Sequence, residues 1–539
     1  MGQTMATGAE LTYERDASGE DMANEIFGDG IQVVSATYFG DNQSSAIYRN
    51  GDALAPNATP GDTGVIFSTG RVNQYTRSGG DPNRSDSTSR NTSGEDGNEA
   101  FETAFDENWQ PGDATNTFDA AYLEATIIPT GDVMTMQFIF ASEEYPEFTN
   151  SQFQDFVGVW VNDTFVPLSV GNGDADPGNL NSGNNENLFL DNSQDDFNTE
   201  MDGLTVTLTL TIPVNAGEEN DIRIGIADVA DSSYDSALLI AGGSAQSSLI
   251  AEDDSTLLDK DGEANLNVLS NDSTTGAGTL EITHINNESV VAGDVVDLNT
   301  GQSVRLESDG TITVIGNGVE LGDVEDGGIN FSYTISDGTN DDTAFVNVIP
   351  CFVAGTLIKT PNGDVPIETL EPGDLVETRD EGAQPVRWTG SRAVEGKNQF
   401  APIFIRAGAF GAHQDLLVSP QHRILMRDAL AELMFGEGEV LVAAKDLVND
   451  DTVTRFPMAE VIYVHVMFDR HQVIFSEGLE TESFLPGPQV ASLMEQPVLD
   501  EICSLFPELD PTTGQGYGPS ARPALRSYEA HLLKPEWVA

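Results

Sequence analysis

The chain has 539 residues, of which 39% are hydrophobic and 26 are Phe, and its formal charge is −66. That length exceeds what one core serves and points to about two to four domains, and the hydrophobic content excludes wholesale disorder. So negative a field excludes nucleic acid as a partner, disfavours anionic lipid and attracts divalent cations.

The charge is unevenly spread. Residues 1–350 hold 9 Lys+Arg against 61 Asp+Glu, whereas 351–539 hold 14 against 28. No basic side chain occurs between Arg90 and Arg223. Such acidity suits salty surroundings, where salt screens self-repulsion. Two cysteines, Cys351 and Cys503, give neither a disulfide framework nor a CxxC metal pattern. Met1 to Asp21 lacks the basic and apolar regions of a cleavable signal peptide. No run approaches the roughly 18 apolar residues of a membrane span. The expectation is an extracellular or cell-surface protein exported by another signal.

From the start to residue 247 the sequence predicts an all-β, sandwich-like domain. Val65–Ser68, Met134–Phe140 and Leu204–Ile212 alternate or are rich in β-branched residues, and the Gly/Asn/Asp/Ser stretches Arg77–Asn98 and Gly171–Asn187 read as loops. Residues 248–349 predict a second sandwich, with strands at Leu280–Ile285 and Phe331–Ile335 and turns at Asp309-Gly310 and Asp337-Gly338. A third all-β unit spans 350–488 with a tighter turn rhythm at Gly355, Gly363 and Gly373. The tail, 489–539, mixes a possible helix over Val490–Phe506 with Gly/Pro-rich loop.

Cys351 opens the third unit directly after Pro350, so its thiol can attack the carbonyl behind it. Such cleavage needs a donor for the departing nitrogen and contacts for the oxyanion. Five of the six histidines follow residue 350. Ser419-Pro420-Gln421-His422 ends the strand Leu416–Val418, and His465 and His471 lie on a later strand pair. Each alone has an ordinary structural explanation: a buried small thiol, or a strand-end imidazole with its polar atoms satisfied. Their combination is what points to chemistry.

The run Cys351, Gly355-Thr356-Leu357-Ile358, Gly363, Ile367-Glu368, Gly373-Asp374 and Gln384-Pro385-Val386-Arg387-Trp388 resembles the Hint (hedgehog/intein) family, in its bacterial C-terminal branch. Ser419–His422 stands at that family's Thr-x-x-His motif with Ser for Thr, and Tyr463–Gly478 resembles its late strand motif. The resemblance implies an acyl shift by Cys351 onto the Pro350 carbonyl, with His422 oriented by Ser419 and assisted by His465 or His471. The domain lacks the closing His-Asn of splicing inteins, so cleavage without ligation is implied, with water or an unknown nucleophile as acceptor. No cofactor is required for that step.

Ala141–Phe148, Phe153–Val161 and Ile224–Ser236 resemble the bacterial choice-of-anchor L surface domain, and Val268–Asp272 with Tyr333–Gly338 resembles a cadherin-like repeat serving as spacer. Glu143, Glu144 and Asp155, or Asp228, Asp231 and Asp235, could supply oxygen ligands to Ca²⁺. Two function classes therefore stand open: a self-cleaving protein, or a non-enzymatic calcium-binding adhesin or matrix protein whose Hint tail is silent. Cleavage before Cys351 separates them. A hydrolase of external substrates is third, since the front half shows no nucleophile elbow or metal signature.

Overall fold

The computed structural model describes residues 6–484 except 86, 93–95, 99, 104–115, 150–154, 167, 171–172, 183–184, 231, 256–262, 277, 316–329, 348–351, 395–401, 421, 428–437, 450–451, 457 and 459–460, together with 505–506, 517, 520–523 and 525. The protein is mainly β throughout.

The first unit packs two sheets face to face. One has eight strands, including β1 (Thr63–Ser68), β3 (Val133–Ser142) and β6 (Ser236–Ala241); the other has five, including β2 (Thr117–Pro129), β4 (Phe156–Val161) and β5 (Asn220–Val229). Phe67 and Phe138 from the first sheet meet Leu123 and Ile224 from the second in one buried cluster. Burying each such side chain stabilises the sandwich by about 1.5–3 kcal/mol. Helix α1 (Gly19–Ile26) places Met22 and Ile26 on this core. Ser18 and Asp21 close a reciprocal capping box at its start.

The strand expected over Leu204–Ile212 is in fact two, Gly203–Thr205 and Leu208–Pro213. Both pair with β3, but the register slips by one residue between them. The break is a bulge whose free amides find partners elsewhere: Val206 N–H donates to the Leu188 carbonyl and Thr207 N–H to Asn287 Oδ1.

The middle unit stacks a five-stranded on a four-stranded sheet around Ile285, Val304, Val314 and Tyr333. Strands β7 (Phe331–Ser336) and β8 (Asp341–Asn347) form a hairpin through Asp337-Gly338. Gly338 adopts φ 87°, and Asp337 Oδ1 accepts from the amides of Thr339 and Asn340. An Asx-type turn of this kind is what Asp-Gly encodes. An asparagine seam joins the two sandwiches: Asn187 bonds Thr300 by side chain and backbone, and Asn286 Nδ2 donates to the Asn187 carbonyl.

The third unit pairs a six-stranded with an eight-stranded sheet. The strands that matter below are β9 (Phe352–Val353), β10 (Leu416–Val418), β11 (Arg423–Met426), β12 (Val440–Ala443), β13 (Val461–Met467), β14 (Val473–Ser476) and β15 (Leu479–Glu482). Its core gathers Phe352, Ile424, Val442, Val464 and Ile474 from both sheets.

Candidate functional site

Strand β9 organises the C-terminal site. Phe352 pairs antiparallel with Val418 of β10 and with Val464 of β13. Ser419 and His465 are the next residues along those partner strands, and Cys351 is the chain neighbour of Phe352. Cys351 and Pro350 themselves lie outside the described residues.

The turn after β10 is tightly held. His422 N–H donates to the Ser419 carbonyl, while Lys445 and Ala444 donate to the carbonyls of Pro420 and His422. Ser419 and His422 are both buried. The His422 ring lies 4.0 Å from that of Phe352, tilted by 56°. Its Nε2 is buried and has no hydrogen-bond partner among the described residues. Burial pushes His422 down to about 4; the Glu482 carboxylate pulls it up, and Arg423 and His471 push it down again. At neutral pH the ring is therefore uncharged and able to accept a proton.

His465 is half-buried on β13, with its ring edge-on to Phe484 at 4.7 Å. Burial and then the neighbouring His422 lower it to about 4 as well, so the two imidazoles share one environment. His471 does not join them. Its Nε2 faces the Ser483 carbonyl at 3.1 Å and Glu482 Oε2 at 3.5 Å, and its Nδ1 accepts from Ala521 N–H at 3.0 Å. The structure thus brings Ser419, His422 and His465 together around Phe352, while His471 contacts Glu482, Ser483 and Ala521.

Glu482 was not singled out by the sequence. In Leu479-Glu480-Thr481-Glu482 alternation sends both glutamates to one face, and nothing local separates the surface pairing of Glu480 from the inward one of Glu482. Only the arginine directly after His422 hints at it. Glu482 accepts from the Arg423 amide at 2.9 Å and from its guanidinium at 3.4 Å. Burial alone would raise this carboxyl, but Arg423, His471 and His422 hold it down at about 2.

The acidic residues considered for calcium gather at one end of the first sandwich. Glu143, Glu144, Asp155, Asp228 and Asp235 are all buried; Asp231 lies outside the described residues. Ala227 pairs with Phe156, so Asp228 and Asp155 face each other where β5 ends and β4 begins, close enough to perturb each other's titration. Beside them, on the other sheet, Ser236 N–H donates to Thr69 Oγ1 at 2.9 Å. Glu143 N–H donates to the Asp235 carbonyl, and Asp235 Oδ1 accepts from the Arg90 amide. Burial raises Glu143 to about 9 and Asp235 to about 6, and raises both members of the Asp155–Asp228 pair. Among the described residues no three His, Cys, Asp or Glu side chains converge so as to hold a metal ion. Burial thus favours the protonated forms of Glu143 and of the Asp155–Asp228 pair.

Comparison with known proteins locates two families on this frame. A family model described as a Hint domain matches residues 350–488, and one described as a choice-of-anchor L domain matches residues 12–246. The chain carries a choice-of-anchor L domain and a Hint domain. Solved structures similar to it include a glutathione-linked, splice-inactive variant of the AceL NrdHF class 3 split intein, at 15% identity over 25% of this chain and 96% of that one, with a TM-score of 0.18. The gp41-1 intein is similar at 14% identity over 25% and 98% of the two chains, also with a TM-score of 0.18. No curated protein sequence matches the chain. No helix among the described residues is long and apolar enough to cross a membrane.

The tail is fastened to the Hint domain. Leu441 on β12 exchanges backbone hydrogen bonds with Pro523 and Leu525, so the tail adds to the edge of that strand. Leu525 enters the Hint core, Arg522 bridges Asp380 and Glu439, and Tyr517 Oη donates to the Phe468 carbonyl. Cys503 lies outside the described residues.

Proposed function

We propose that the Hint domain cleaves its own chain at Pro350–Cys351 and does not religate the flanks. The Cys351 thiol gives its proton to His422 as Sγ attacks the Pro350 carbonyl carbon. The C–N bond then breaks, the same proton passes from His422 to the departing Cys351 nitrogen, and a thioester links Pro350 to Sγ. Ser419 orients His422, and His465 stands beside it as a second imidazole; His471 assists. Water or another nucleophile then attacks the thioester carbon, leaving a Pro350 carboxyl derivative and a free Cys351 thiol.

The observation that carries this reading is the buried Nε2 of His422, which has no partner among the described residues and whose ring packs on the residue next to Cys351. A buried nitrogen without a partner costs about 1–3 kcal/mol, a cost that is accounted for if the atom serves a reacting group. The missing terminal Asn removes the succinimide step, so splicing is not part of the proposal. The modules are then a choice-of-anchor L unit (1–247), a spacer (248–349), the self-cleaving unit (350–488) and its tail (489–539). Their acidity and the choice-of-anchor domain support display at the cell surface or beyond it.

The test is the intact mass of the full chain with and without dithiothreitol. Fragments of 350 and 189 residues, lost in Cys351→Ala, are expected. A chain that stays whole after long incubation with thiol would instead make the Hint domain a silent structural tail.

A further inference from the structure

We infer that Glu482 is a positioning residue for His422, and that the tail segment at Ala521 holds Glu482's partner His471 in the required tautomer. The role it assigns rests on the cleavage reading above.

Three contacts build the arrangement. Glu482 ends β15 beside the start of β11, where it grips both the amide and the guanidinium of Arg423, the residue joined to His422. His471 Nε2 lies 3.5 Å from the same carboxylate. On its other side, the Ala521 amide lies 3.0 Å from His471 Nδ1. An amide N–H can only donate, so Nδ1 must offer its lone pair and the ring proton belongs on Nε2, pointing to Glu482 and the Ser483 carbonyl. Ser520 Oγ lies 3.3 Å from Nδ1 but donates its proton to the Arg522 carbonyl at 2.7 Å, so the Ala521 amide is the donor that fixes the tautomer. The tail therefore sets the tautomer, the tautomer supports the carboxylate, and the carboxylate fixes the turn that carries His422.

The charges around His422 give this chain of contacts a chemical consequence. Burial, Arg423 and His471 all disfavour a protonated His422, and His465 is a second imidazole in the same environment; Glu482 is the group that favours it. The acyl shift needs His422 to carry a proton between thiol and departing amine. Glu482 supplies the negative charge that makes this state accessible in a buried place. A merely structural glutamate would anchor Arg423 and leave the titration of His422 untouched.

The experiment uses the full-length Cys351→Ala chain with ¹³C-labelled histidine, following the His422 and His471 ring resonances against pH. In Glu482→Gln the His422 midpoint is expected to fall by about one unit or more, a tenfold loss of the protonated ring at a given pH, with Glu482→Asp in between. Ala521→Pro, which deletes the amide donor, should shift the His471 ring signals toward the other tautomer. In the cleaving chain Glu482→Gln should slow fragment formation by about tenfold or more. An unchanged His422 midpoint in folded Glu482→Gln overturns the inference, whether or not the chain cleaves. Coupled rings in a chain that never cleaves would retain Glu482's positioning role and refute cleavage alone.

Discussion

The ring of His422 rests on the ring of Phe352 at 4.0 Å, which ties the buried imidazole to the first described residue after the proposed scissile bond. Phe352 is at once a core residue, 2% exposed, and one wall of the site. Phe352→Ala should destabilise the Hint domain by about 3–5 kcal/mol through the cavity it leaves. Urea denaturation would measure this. The less disruptive Phe352→Leu should retain most of the stability yet slow cleavage, because His422 loses its flat support; unchanged cleavage would refute that role.

His422 makes the Hint domain sensitive to acid. Its folded value, about 4, lies below the ordinary 6.5 because burial favours the neutral ring. Between those values the unfolded chain binds the extra proton. The contribution of His422 is thus full above pH 6.5 and is lost as pH falls toward 4, by roughly 3 kcal/mol. Denaturation midpoints between pH 4 and 7 should show this slope. His422→Gln should flatten it.

The Asp155–Asp228 pair gives the choice-of-anchor L domain the opposite slope. Both carboxyls are raised by burial, so folding favours their protonated forms. Stability from them is full below the unfolded value near 4 and is lost as pH rises through the folded ones. Melting of this domain should occur at lower temperature at pH 8 than at pH 5, and Asp228→Asn should gain stability at pH 8. The same scans with Ca²⁺ and with EDTA address the cation: a rise with Ca²⁺ at pH 8 alone would mean that it replaces the protons.

The tail should act as a clamp on the Hint domain. Arg522 meets Asp380 and Glu439, while Leu525 is buried in the core. Exposed ion pairs contribute about 0–1 kcal/mol, whereas burial of a leucine contributes about 1.5–3 kcal/mol. Leu525→Asp should therefore release the tail to limited proteolysis far more than Arg522→Ala does. Equal protection of both variants would show that the backbone pairing with Leu441 suffices.

Much of the architecture was legible because it rests on local rules. Alternation located Thr63–Ser68, Val133–Ser142 and Phe331–Ser336, and Asp337-Gly338 marked its hairpin, since side-chain period and turn chemistry are properties of neighbouring residues. The bulge between Thr205 and Leu208 was not legible. Its cause is a pair of amides satisfied by Leu188 and Asn287, which are distant in sequence. The calcium candidates show a similar limit: the acidic residues were visible, but their burial and mutual contact were not.

By itself the sequence determined a mainly β chain, its two recognisable families, the pairing of a thiol with Ser419 and His422 as candidate partners, and the absence of a closing Asn from the Hint domain. Only the tertiary structure decided that His465 stands with His422 around Phe352 while His471 contacts Glu482 and the tail. The reason is physical. A strand pattern says which face a residue takes, but which carboxylate meets which imidazole depends on registers between strands far apart in the chain, and on how deeply the folded core buries them.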